Sequence, residues 1–126
     1  MVTAMDKIVI DNLSIGYSDG TESLRNINLS IPAQAISVVF GPAGGGKSTL
    51  LRTLNRLNDL ADVVQLKGQV LLNGVNSLDP KIDVTQLRRK VGMVFSRPTP
   101  LPLTIYENVS YGLVMAGEKH KVRLDK

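Results

Sequence analysis

A glycine-rich segment of eight residues constrains the fold of this chain more than any other feature. It runs Gly41-Pro42-Ala43-Gly44-Gly45-Gly46-Lys47-Ser48 and fits the pattern G-x-x-x-x-G-K-[ST] at every fixed position. A short apolar run, residues 35–40, precedes it, and leucines at helical spacing follow it. The pattern therefore predicts a strand buried on both faces entering the loop and a helix over residues 47–58 leaving it.

Each residue type in this segment suits the binding of phosphate groups. Glycines let the backbone bring its N–H groups against phosphate oxygens, and the start of the following helix presents further N–H groups and the positive end of its dipole. Lys47 is expected to reach the β- and γ-phosphates, and the Ser48 hydroxyl is expected to ligate Mg²⁺. A dinucleotide-binding loop would leave the lysine without a role. The segment thus predicts a P-loop, which kinases, GTPases, helicases and transport ATPases share.

The rest of the chain alternates strand and helix signals. Asp83 can cap one helix, and Thr104 with Glu107 has the spacing of a capping box for another. Three prolines between residues 97 and 102 exclude helix and central strand there. Strands are predicted over residues 7–17, 24–31, 69–72 and 91–95, and helices over residues 83–89 and 104–116.

Composition narrows the class of protein. The 126 residues are 43% hydrophobic and contain no cysteine, which excludes disulfides and thiolate metal sites. No apolar run approaches the roughly 20 residues that cross a bilayer, and the first residues do not resemble a secretory signal. The net charge is +4, with the densest basic run at Arg88, Arg89 and Lys90 and a scattered second patch over residues 119–126, but the sequence lacks the interleaved basic and aromatic stripe of a nucleic-acid-binding surface. We therefore expect no nucleic-acid partner.

The order of these elements resembles that of ABC transporter ATPases. Two strands precede the phosphate loop, and a third with an Asn73-Gly74 turn follows the loop's helix, as in the antiparallel β-subdomain of that family. Residues 51–60 and 91–109 are similar to the phosphate-importing branch, and the resemblance covers about residues 6–116. It implies an α/β fold of the P-loop NTPase (ABC ATPase) type, incomplete, with an N-terminal antiparallel β-subdomain.

The resemblance also implies roles for individual residues. In the family an aromatic residue near the end of the first strand stacks on adenine, and Tyr17 stands at that place. Lys47 would stabilise charge in the transition state, and Ser48 would hold Mg²⁺. The implied ATP-binding residues are Tyr17, Gly41, Pro42, Ala43, Gly44, Gly45, Gly46, Lys47, Ser48 and Thr49.

The chain departs from the family pattern in two ways. Ser96 stands where the family has a glutamine that reaches Mg²⁺ and the attacking water, and its shorter arm does not favour direct metal contact. Two interpretations of Ser96 remain open. Either the sequence has diverged and a water fills the gap, or coupling to transport is impaired. The family's signature motif, its carboxylate-bearing strand (Walker B) and its switch histidine are also missing from the sequence. The single histidine, His120, is expected to be solvent-exposed, and residues 1–126 are expected to be the N-terminal part of a nucleotide-binding domain.

The implied protein is the ATP-binding subunit of an importer, coupling ATP hydrolysis to transport of inorganic phosphate at the cytoplasmic face of the inner membrane. Its expected partners are membrane-spanning permease subunits and a second ATPase subunit, arranged head to tail with ATP at the interface. The 126-residue chain alone is expected to be inactive. A non-catalytic nucleotide-binding module, an importer ATPase for another substrate and a different P-loop enzyme remain alternatives, although the Asn-Lys-x-Asp motif of guanine recognition is missing.

Overall fold

The structure is a computed structural model that describes residues 5–119. The chain divides into two compact units, Met1–Met93 and Val94–Lys126, and each is described by itself. The first unit holds an antiparallel sheet, the glycine-rich loop and two helices. The second holds the proline-rich segment and one helix.

The sheet of the first unit has four strands in the order β2-β1-β3-β4, and every neighbouring pair is antiparallel. Its long strands confirm the predicted β-subdomain, and β2 ends at Pro32, one residue beyond the predicted range of 24–31. The strands are β1 (Asp6–Tyr17), β2 (Glu22–Pro32), β3 (Val63–Leu72) and β4 (Val75–Asn76).

A small apolar core lies between the sheet and the helix that follows the loop. The central strand β1 contributes most of it, because alternate side chains of a strand point to the same face. The helix α1 (Lys47–Leu54) packs one buried leucine, Leu50, against this face. The core residues are Ile10, Leu13, Ile15, Leu24, Leu50 and Val70.

The helix after the loop is shorter than the predicted range of 47–58. It ends at Leu54, and Arg56 takes a left-handed conformation with φ of 60°. A 3₁₀ turn over Leu57–Leu60 then carries the remaining leucines. The Arg88 guanidinium of α2 (Val84–Lys90) donates to the carbonyl oxygens of Asn55 and Arg56, which stabilises this break. Leucine spacing alone does not reveal such a break.

Strand β3 begins six residues earlier than the predicted start at residue 69, at Val63. Gly68 interrupts the apolar alternation, with a φ of +90°. A Cβ atom there would lie 2.4 Å from the carbonyl oxygen of Asn12, on the bulged part of β1. The strand continues through this close approach because glycine has no side chain.

Two predicted strands, residues 35–40 and 91–95, do not form in the described part of the chain. Ile36, Val38 and Phe40 are 96%, 76% and 89% exposed. Apolar sequence indicates a strand only where a neighbour completes its hydrogen-bond ladder, and the four described strands pair among themselves. The prediction of a strand buried on both faces is therefore wrong for this structure.

The two later helices begin where their capping residues predict. Asp83 accepts hydrogen bonds from the N–H groups of Thr85 and Gln86 at the start of α2. In the second unit, α3 (Ile105–Met115) starts with a complete capping box between Thr104 and Glu107. Within residues 5–119 no helix is long and apolar enough to cross a membrane.

Candidate functional site

The glycine-rich loop lies between residue 40 and the first turn of α1, beside strand β2. Gly44 and Gly46 have φ angles of 77° and 86°, a region that other residues rarely adopt. A Cβ atom at Gly46 would lie 2.5 Å from the Ser23 carbonyl oxygen, so only glycine fits between the loop and β2. The loop therefore has the backbone that the motif predicts.

The loop and the helix start surround an open cavity of about 370 Å³. Gly46 is the N-cap of α1, no side chain caps the helix, and no acidic residue lies in its first turn. The N–H groups of that turn and the positive dipole end are thus available to an anion. The lining residues are Ser23, Ala43, Gly44, Gly45, Gly46, Lys47, Ser48 and Thr49, none of them acidic.

Lys47 folds its side chain back over the loop. Its Nζ donates to the carbonyl oxygens of Gly41 and Pro42, at 2.8 and 2.6 Å. The loop also closes on itself through a hydrogen bond from the Gly45 N–H to the Pro42 carbonyl oxygen, at 3.2 Å. The one positive side chain of the motif is thereby held at the loop, where an approaching phosphate can exchange with the carbonyl partners.

Ser48 and Thr49 are adjacent in α1 but have different surroundings. Ser48 is exposed beside the cavity, as a metal-ligating hydroxyl would need to be. Thr49 is only 8% exposed. Its Oγ1 accepts a hydrogen bond from Ser23 Oγ at 2.8 Å and lies 3.2 Å from Tyr17 Oη. The Thr49 hydroxyl is therefore engaged with the sheet, and its backbone N–H lies in the first turn of α1, where N–H groups have no partner within the helix.

Tyr17 lies at the end of β1, close to the loop's helix. Its ring is partly buried and packs against the core cluster, and its hydroxyl is near Thr49. The structure thus brings the predicted base-contacting residue and the phosphate loop together in one unit. Stacking of a base on this ring stays a prediction.

Ser23 is a site residue that the sequence did not indicate. It lies on β2 and lines the same cavity as the loop. No motif includes this position, and only the folding of β2 against α1 brings it to the loop.

Two other residues singled out from the sequence lie further along the chain, after residue 93. Ser96 is exposed at a bend in the second unit, and its role stays a prediction. His120 lies outside the described residues. Among residues 5–119 no group of three His, Asp or Glu side chains gathers in a way that could hold a metal ion.

Comparison with protein families decides among the P-loop classes. The family model described as ABC transporter matches residues 24–126. The chain belongs to the ABC transporter family. The resemblance stated from the sequence is thereby confirmed, and the kinase and GTPase alternatives are set aside.

Relatives within the ABC transporter family point to one branch. The chain is 46% identical over its full length to a phosphate import ATP-binding protein, PstB, of Pseudoalteromonas translucida, and spans 46% of that protein. It is 50% identical over 117 residues to the PstB protein of Shewanella denitrificans, covering 93% of this chain and 43% of the relative. The chain thus spans less than half the length of these relatives.

Solved ABC structures confirm the predicted fold class. The chain resembles cbiO1 of Clostridium perfringens, part of the ABC transporter complex cbiONQ, with a TM-score of 0.77 and 25% identity. That match covers 95% of this chain and 46% of cbiO1. A bacterial Atm1-family ABC exporter with ATP bound gives a TM-score of 0.71 and 28% identity over 89% of this chain and 18% of the exporter.

Proposed function

We propose that the chain provides the base and phosphate contacts of the ATP-binding subunit of an ABC importer, and that the importer carries inorganic phosphate. The observation that carries the proposal is the loop geometry. Left-handed glycines, an uncapped helix start and a lysine held at the loop converge on one cavity without an acidic residue. Such a site favours a polyanion over a neutral ligand.

The residues present fit a nucleoside triphosphate. The N–H groups of the loop and of the first turn of α1 would contact the phosphate oxygens, and Lys47 would exchange its two carbonyl partners for phosphate. Tyr17 would contact the base from the end of β1. The remaining contacts are assigned to Gly41, Pro42, Ala43, Gly44, Gly45, Gly46, Ser48 and Thr49.

The exposed Ser48 hydroxyl also suits Mg²⁺, which prefers oxygen ligands and is commonly held by few protein groups together with phosphates. Mg²⁺ bound there would offset negative charge on the β- and γ-phosphates. The part this chain plays is to bind and orient the triphosphate, because its cavity holds no carboxylate that could position water.

Hydrolysis would accordingly draw on groups outside the residues described. By resemblance to the family, these are a carboxylate further along the subunit and the signature motif of a second ATPase subunit docked head to tail. The proline-rich segment and the exposed apolar side chains of α3 would contact membrane-spanning permease subunits at the cytoplasmic face of the inner membrane. Phosphate as the cargo is supported by the PstB relatives.

Titration of the full-length subunit with Mg²⁺-ATP tests the proposal. Lys47→Ala removes a charge-assisted contact, so affinity should fall by about 1.5–3 kcal/mol. Lys67→Ala is the matched control, because it also removes one positive charge, from the exposed surface of β3. It should leave ATP affinity unchanged. Equal binding by the Lys47→Ala and Lys67→Ala proteins would contradict the assignment.

The base contact and the cargo need their own measurements. Tyr17→Ala should weaken ATP binding, whereas Tyr111→Ala, a partly exposed tyrosine of α3, should not. Uptake of labelled phosphate by vesicles holding the assembled importer tests the cargo. ATP-dependent uptake of another solute without phosphate uptake would assign a different substrate.

A further inference from the structure

A hydrogen-bond network joins the two ends of the proposed ATP site. Thr49 Oγ1 lies 2.8 Å from Ser23 Oγ and 3.2 Å from Tyr17 Oη. The three side chains come from three elements, namely α1, β2 and β1. Thr49 is almost fully buried, so these contacts form with little competition from water.

The backbone of Tyr17 is held in place by hydrogen bonds, so only its side chain can change conformation. Its N–H donates to the Thr21 carbonyl oxygen at 2.8 Å, and the residue pairs with Val63 across the sheet. Rotation about the side-chain bonds alone can therefore change the position of the ring. The hydrogen bond between Tyr17 Oη and Thr49 Oγ1 restricts that rotation.

Thr49 is itself fixed relative to the phosphate loop. It is the second residue after Lys47, and its carbonyl oxygen accepts from Thr53 Oγ1 and Asn58 Nδ2 at 2.7 and 2.9 Å. Because Tyr17 contacts Thr49, the position of the Tyr17 ring relative to the phosphate loop is fixed as well. The Thr49 hydroxyl has a single proton, and when it donates that proton to Tyr17 Oη it has none left for a phosphate oxygen, which can only accept.

We propose that Thr49 is a positioning residue, whose buried hydroxyl, supported by Ser23, orients the Tyr17 ring for the nucleotide base and does not contact phosphate. The proposal rests on the proposed function, because it assumes that ATP occupies this site. It assigns Ser23 and the Tyr17 hydroxyl a role in recognition of the base. Any phosphate contact of Thr49 would be made by its backbone N–H.

Two ligands separate this role from a direct phosphate contact. ATP uses both the ring and the loop, whereas inorganic tripolyphosphate has no base and uses the loop alone. Thr49→Val keeps the shape of the side chain and removes its hydroxyl. It should weaken ATP binding by about five-fold, the scale of one hydrogen bond, and leave tripolyphosphate binding unchanged.

Further variants in the full-length subunit distinguish the loss of this hydrogen bond from a folding defect of Thr49→Val. Thr49→Ser restores the hydroxyl and should restore ATP affinity. Tyr17→Phe breaks the network from the other side and should reproduce the loss for ATP alone. The double variant should lose no more than either single variant, because both remove the same contact. Ser77→Ala removes a buried hydroxyl that donates to the Val70 carbonyl oxygen, outside the network, and should bind both ligands as the unmodified protein does.

The outcomes are distinct. Equal weakening of ATP and tripolyphosphate by Thr49→Val would show a direct phosphate contact and overturn the proposal. Unchanged ATP binding in both Thr49→Val and Tyr17→Phe would overturn it as well. If the unmodified subunit bound neither ligand, the proposed function itself would fail. The unmodified protein alone therefore tests the proposed function, and the variants test the role of Thr49.

Discussion

Gly46 and Ser23 approach so closely that the loop and strand β2 have no room for a side chain between them. A Cβ atom at Gly46 would lie 2.5 Å from the Ser23 carbonyl oxygen and 2.9 Å from Leu24 Cδ2. The same added atom at Gly44 would meet nothing within 4 Å. Both glycines have positive φ, so they share the conformational requirement and differ in the space around them.

This difference predicts unequal effects of alanine. Gly44→Ala should cost about 1–2 kcal/mol, the strain of a left-handed alanine. Gly46→Ala should cost more in the free energy of unfolding, because the helix start must also move away from β2. Denaturant unfolding of the two variants in the full-length subunit measures the difference, and ATP titration should show the larger loss for Gly46→Ala. Equal destabilisation would mean that the contact with Ser23 relaxes freely.

Local signals in the sequence predicted the loop, the long strands β1 and β2, and the starts of α2 and α3. Those features depend on neighbours within a few residues, such as the Thr104–Glu107 pair or the glycines of the loop. The break at Arg56 and the close approach of Gly68 to Asn12 depend on residues far along the chain. The Tyr17–Thr49–Ser23 network does so too. No local pattern connects these positions, and only the folded sheet and helix bring them together.

Ser96 offers a prediction about coupling. It is exposed, so a longer side chain should fit without displacing neighbours. Ser96→Gln should raise transport-coupled ATPase activity in the assembled importer while leaving ATP affinity nearly unchanged, because affinity comes from the loop and Tyr17. Ser30→Gln, on the exposed part of β2, is the matched control and should change neither property. Lower coupled activity in Ser96→Gln would show that the surroundings have adapted to serine.

The capping box of α3 predicts a measurable pKa. The Thr104 hydroxyl and, second, the Thr104 N–H donate to the Glu107 carboxylate and hold its pKa below the ordinary value. Since the folded-state pKa is the lower one, the stabilisation of the helix start is complete above about pH 4.5, the ordinary value, and is lost as the pH falls through the folded-state pKa.

Titration of the Glu107 carboxyl carbon by NMR checks this expectation. Thr104→Ala removes the hydroxyl, so the pKa of Glu107 should rise toward the ordinary value. Thr99→Ala, an exposed threonine in the same unit, should leave it in place. A Glu107 pKa that does not respond to Thr104→Ala would show that the hydroxyl is not its main cause.

The apolar run at residues 35–40 is exposed in this structure but is expected to be buried in a longer protein. Ile36, Val38 and Phe40 extend into solvent in the described structure, although their sequence has the character of a buried strand. Burial of each such side chain contributes about 1.5–3 kcal/mol, so the run should pack against further strands in a protein of the relatives' length.

One substitution should therefore act in opposite directions in two proteins. Ile36→Lys should reduce aggregation of the 126-residue chain made alone, because it interrupts an exposed apolar strand sequence. The same change in the full-length subunit should lower the free energy of unfolding by several kcal/mol, because it places a charge where we expect burial. Leu60→Lys replaces an exposed leucine outside any strand-like run, and should have little effect in either protein. Light scattering of the short chain and denaturant unfolding of the long one measure the two effects. An Ile36→Lys subunit as stable as the unmodified one would mean that residues 35–40 stay exposed in the complete protein.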